Sequence, residues 1–128
     1  MDKEKYEIEF PVKASPAMLY PFLSTPSGLA DWFCDDVNSR GEVFTFIWGE
    51  SEETAKVISK KKNKFIRFRW MDDIDEGDDY FFEFNIQVDD LTKDVSLIIT
   101  DYSEEYELEE NKLLWESQIN RLLHHIGS

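Results

Sequence analysis

The stretch SPAMLYPFLSTPSGLADWF, residues 15–33, decides the fold. Ser15-Pro16 puts an N-cap residue ahead of a proline at the first helical position, where the missing N–H costs nothing. Thr25-Pro26 repeats the device ten residues on. The spacing predicts two short helices, over about 16–24 and 26–32. Pro21 falls inside the first and should loosen or bend that turn, because its ring removes a backbone donor. Two helices this short bury little between themselves. The Trp32-Phe33 pair that ends the stretch must therefore close over something else.

Outward from that stretch, the flanking sequence alternates with the period of a sheet. Before it, YEIEFPVKA sets Tyr6, Ile8, Phe10 and Val12 against Glu7, Glu9 and Lys13, a strand with one buried face. Pro11 cannot donate to a ladder, so this strand belongs at a sheet edge or carries a bulge. After it, EVFTFIWG places Phe44, Phe46 and Trp48 on one face, and ETAKVISKKK continues as a polar strand. NKFIRFRWM sets Ile66, Phe68 and Trp70 opposite Arg67 and Arg69. DYFFEFNIQV aligns Tyr80, Phe82, Phe84, Ile86 and Val88, and DVSLIITDY aligns Val95, Leu97 and Ile99. Short polar turns separate these runs, which predicts antiparallel hairpins and one meandering sheet with a strongly aromatic face. Neighbouring strands should bring Phe68 and Phe84 into contact across the ladder.

The last segment changes period. Trp115, Ile119, Leu122 and Ile126 form one helical stripe, with Leu108 about two turns earlier. Glu109 and Glu110 suit the helix start and Gly127 its end. About 18 residues at 1.5 Å give roughly 27 Å, close to the length of a nine-residue strand. One helix can lie along the whole sheet and cover its aromatic face. The short helices then close one end of the sandwich.

The chain has 128 residues, enough for one domain, and its ten Phe, five Tyr and four Trp are rich for that size. Its net charge of −14 excludes a phosphate backbone as the main partner, because nucleic-acid affinity rests on Lys and Arg displacing counterions. The same charge opposes binding to an anionic membrane surface. Half of the 14 basic residues nevertheless fall between Lys56 and Arg69, including Lys60, Lys61 and Lys62. That cluster is either a solvated turn and strand face or a binding patch. Acids follow at once, with Asp72, Asp73, Asp75, Glu76, Asp78 and Asp79 within eight residues, and their mutual repulsion predicts an exposed loop. They lack the spacing of a calcium-binding loop. The start MDKEKYEIEF lacks the apolar run of a signal peptide, and no stretch approaches the roughly 20 apolar residues of a membrane span. A cytoplasmic protein without membrane insertion is expected.

The order of strand, two short helices, five strands and a long terminal helix is that of the helix-grip fold. ASPAMLYPFLSTPSGLADWFCDDV, followed by FTFIWG, resembles the START-like (SRPBCC) superfamily, nearest the subgroup similar to activators of the heat-shock chaperone ATPase. The matching pattern is a strand ending in a small residue and Ser-Pro, a first helix, then a second helix of form P…L..WF. The resemblance covers residues 1–128 as a single domain. It implies an α+β fold in which an antiparallel curved sheet wraps a long C-terminal helix and encloses an apolar cavity. It also implies a compact bacterial stand-alone member. Carried onto this chain, the cavity wall on the sheet side would be Phe44, Phe46, Trp48, Phe68, Trp70, Phe82, Phe84, Leu97 and Ile99. Trp32 and the helix residues Trp115, Ile119 and Leu122 would complete it. The opposing reading is that these rings simply fill the core.

No motif nominates a catalytic residue, a metal ligand or a cofactor. His124 and His125 are adjacent on a helix, about 100° apart, and are poorly placed to share a metal. They read as cations at a helix C-terminus or as plain surface. Cys34 is the only cysteine, which rules out an intramolecular disulfide, and it reads as a small buried apolar residue. Asp31, Asp35 and Asp36 read as caps and turns. Two functions follow: a non-enzymatic domain holding an apolar small molecule or lipid, and a chaperone-associated or other protein-interaction domain.

Overall fold

The computed structural model describes residues 2–128. Strand β1 (Glu4–Val12) leads into helices α1 (Pro16–Ser24) and α2 (Pro26–Ala30). Then come β2 (Asp36–Arg40), β3 (Val43–Trp48), β4 (Ser51–Lys61) and β5 (Phe65–Trp70). Helix α3 (Met71–Glu76) separates β5 from β6 (Phe82–Val88). After β7 (Val95–Ser103) a 3-10 turn feeds α4 (Leu108–His125). The seven strands form one antiparallel sheet in the order β1-β7-β6-β5-β4-β3-β2. β1 lies at an edge, where a proline such as Pro11 is tolerated. The result is an α+β helix-grip domain, as the sequence implies.

Both short helices form where the hydroxyl-proline pairs put them. The Ser15 Oγ accepts from the Met18 N–H at 3.2 Å and the Thr25 Oγ1 from the Gly28 N–H at 3.0 Å. The Thr25 hydroxyl also donates to the Pro21 carbonyl at 2.7 Å, which fixes the joint between the two helices. Gly28 is buried against that joint. α2 ends at Ala30, two residues before the expected end, and leaves Trp32 and Phe33 in a turn.

Two further elements depart from the sequence reading. β2 was not anticipated because only Val37 is buried along its five residues, so no alternation marks it. The acidic stretch after Trp70 is a short helix rather than a loop throughout. Asp72 and Asp73 sit in its first turn, where the helix dipole favours carboxylates, and Gly77 at φ 75° caps its end. β4 carries a bulge between Val57 and Ser59. Val88, the last residue of β6, continues the strand's inward phase but is exposed.

Candidate functional site

The aromatic face of the sheet and the apolar stripe of α4 meet in one layer. Phe46, Phe68, Phe84, Leu97, Ile99, Ile119 and Leu122 have no solvent exposure, nor has Trp32. Phe82, Phe44 and Trp115 are buried, while Trp48 and Trp70 are half-buried. The structure thus brings all thirteen predicted residues into or against one cluster. Register refines one detail. The partner of Phe68 is Phe82, stacked at 5.0 Å, and Phe84 lies diagonally at 6.2 Å.

Phe33 is the residue that periodicity did not reveal. It follows α2 in a turn, outside any repeat, and its ring enters the layer between sheet and helix. It stacks on Trp115 at 5.8 Å and on Phe82 at 6.0 Å. Its other ring neighbours include Phe46 at 5.0 Å, Trp32 at 5.4 Å and Trp48 at 5.4 Å. Its backbone is tied as well: the Phe33 carbonyl accepts from Trp48 Nε1 at 2.8 Å and from Gln118 Nε2 of α4 at 3.1 Å. Trp32 is anchored by its own indole N–H, which donates to the Phe22 carbonyl at 2.8 Å. Side-chain and main-chain contacts therefore hold these rings in place, as expected of a close-packed interior.

One polar corner interrupts the layer. Asp101 continues the inward phase of Leu97 and Ile99, opposite Tyr6 in the register. It accepts from Trp115 Nε1 at 2.9 Å and from the Tyr6 hydroxyl at 3.4 Å. Burial pushes its pKa up to about 6, with the Trp115, Tyr102 and Tyr6 donors opposing the rise. The same burial, and then the Asp101 charge, raises the Tyr6 phenol. The alternation of β7 carried this signal, since a carboxylate in phase with two core residues must find donors.

The other titratable candidates lie apart. Cys34 is buried, with its thiol pushed up to about 11 chiefly by burial, so it is protonated at neutral pH and lacks thiolate reactivity. Asp35 accepts from the Gly49 N–H at 2.6 Å and Asp36 from the Val37 N–H at 2.8 Å. Asp31 ends α2 and pairs with His125 at 3.3 Å. Among the described residues no group of His, Cys, Asp and Glu is placed to hold a metal ion. No helix among them is long and apolar enough to cross a membrane.

A seven-stranded antiparallel sheet gripping one long helix, with two short helices after the first strand, defines a helix-grip domain. The chain belongs to the START-like superfamily, whose domain model matches residues 1–128. No curated protein matches it. Among solved structures it is similar to BfR322 from Bacteroides fragilis, known from a solution NMR structure. The two are 36% identical, with 98% of this chain and 93% of that one covered and a TM-score of 0.69. The Aha1 dimer from Colwellia psychrerythraea is 18% identical over 94% of this chain and 93% of its own, with a TM-score of 0.77. A Mesorhizobium loti protein, MLL2253, is 14% identical with 97% of each chain covered and a TM-score of 0.76. The last two likenesses speak to the fold.

Proposed function

We propose that this START-like domain engages a protein partner through its outer surface, with the aromatic layer serving as a solid core. The observation that carries this reading is Phe33. Its ring stands between sheet and helix, stacked on Trp115 and Phe82, where a guest molecule would otherwise lie. The sequence resemblance to chaperone ATPase activators supports a partner of that kind. An apolar small molecule or lipid held between sheet and α4 is the second reading, supported by family membership and by the concentration of rings at that interface.

An apolar fluorescent probe, together with native mass spectrometry on protein purified without denaturation, separates the two. The wild type is expected to fly without an adduct and to leave the probe dark. Phe33→Ala should open a cavity, cost about 3–5 kcal/mol of stability and acquire probe binding. A retained apolar adduct on the wild type would overturn the solid-core reading in favour of the ligand.

A further inference from the structure

We propose that the groove between α1 and the β4–β5 turn docks an acidic segment of a partner protein; this rests on the protein-partner reading and names the surface. The groove has a volume of about 720 Å3, and its walls include Tyr20, Pro21, Ser24, Lys60, Lys62 and Asn63. One wall is cationic. Lys60 and Lys62 line it, and Lys61 and Lys64 are exposed in the same turn, in a chain of net charge −14. Only Lys60 is answered, by Glu42 at 3.4 Å. Among the described residues Lys61, Lys62 and Lys64 have no carboxylate partner, although the chain holds 28 acidic residues.

The opposite wall is fixed and largely apolar. Tyr20 is buried, and its hydroxyl donates to the Phe65 carbonyl at 3.4 Å, which pins the ring against β5. Pro21 is exposed and offers no N–H, and its carbonyl is already engaged by Thr25. Ser24 is likewise turned inward, donating to the Tyr20 carbonyl at 2.9 Å. Asn63 takes the left-handed conformation, φ 62°, that the turn between β4 and β5 requires. An extended acidic peptide matches this pairing, with its carboxylates on the lysines and an apolar side chain against Tyr20 and Pro21. The net negative charge of the chain opposes any acidic ligand at long range, and the local positive patch sets where a short acidic segment can land.

The test is a fluorescence-polarisation titration of the full chain with a labelled Glu-rich peptide carrying a central Leu-Phe pair. Saturable binding is expected in about 50 mM salt, weakening at least tenfold at about 300 mM as screening shortens the reach of the lysines. The double reversal Lys60→Glu with Lys62→Glu should weaken binding at least tenfold. Lys5→Glu with Arg121→Glu, an equal change of net charge elsewhere on the surface, should leave it within twofold. Equal loss in both double variants would overturn the groove, as would tighter binding of a short DNA duplex than of the peptide. Failure of this titration with an adduct-free wild type removes the groove alone, whereas a retained apolar adduct removes the solid core whatever the peptide does.

Discussion

At Gly28 an added Cβ would lie 2.6 Å from the Phe22 Cα and closer still to the Pro21 carbonyl oxygen. Neither is the movable end of a side chain, so Gly28→Ala must push α2 away from α1. Overpacking of this kind costs about 1–3 kcal/mol, and the upper end is expected here; a thermal melt within a degree of wild type would show that the helices do not meet so closely. Asp101 makes a different residue-scale prediction. Its folded pKa of about 6 lies above the roughly 3.9 of an unfolded chain. Its stabilising contribution is therefore fully present below about pH 4 and is lost as pH rises through 6. That loss approaches about 3 kcal/mol. Asp101→Asn removes the titration, so the wild type should fall relative to the variant between pH 4 and 7.5 in parallel melts. A difference that stays flat with pH would place the carboxyl in water. Phe33 and Asp101 also mark where sequence reading ended. Phe33 lies in a turn with no period to betray its direction. Asp101 was in phase with the core, but alternation does not identify the donors that make burial tolerable.

Elements were legible wherever their ends carried chemistry. Ser15-Pro16 and Thr25-Pro26 announced α1 and α2, and the observed α1 has the expected bounds. α4 followed from the spacing of Trp115, Ile119 and Leu122, all buried. β2 carried no such mark: a polar edge strand with one buried Val looks like a loop until β3 pairs with it. In α3 the repulsion among the acids argued for a loop, but Met71 and Ile74, three apart and half-buried, give the turn a face to pack. Charge at the helix start did the rest. The element-scale prediction falls on α4. Trp115 touches Phe33, Phe82 and Phe84 and donates to Asp101. Trp115→Ala should cost about 3–5 kcal/mol and leave the Asp101 carboxylate short of a donor. A chemical-denaturation midpoint unchanged from wild type would mean that α4 does not grip the sheet.

At the scale of the whole molecule, alternation and a final helical period were enough to define a sheet wrapped on one helix. They could not say whether the space between was hollow, because that depends on where a single turn residue sends its ring. The distribution of charge was partly legible: the lysine cluster stood out in the sequence, while the groove beside it appears only when α1 is folded against β5. The pairing of β1 with β7 sets a further condition, on the order of events as the chain emerges during synthesis. Ile8 lies opposite Ile99, so β1 has no sheet partner until the chain has been made as far as β7. The β2–β5 hairpins are local and can assemble early, but contacts so distant along the chain carry a loop-closure cost and form slowly. Until β7 arrives, β1 and the aromatic face of the growing sheet stand open together, an interval in which an unfinished chain is prone to association. Residues 1–94 hold 21 acidic and 12 basic side chains, a net charge of −9, which keeps such unfinished chains apart by mutual repulsion.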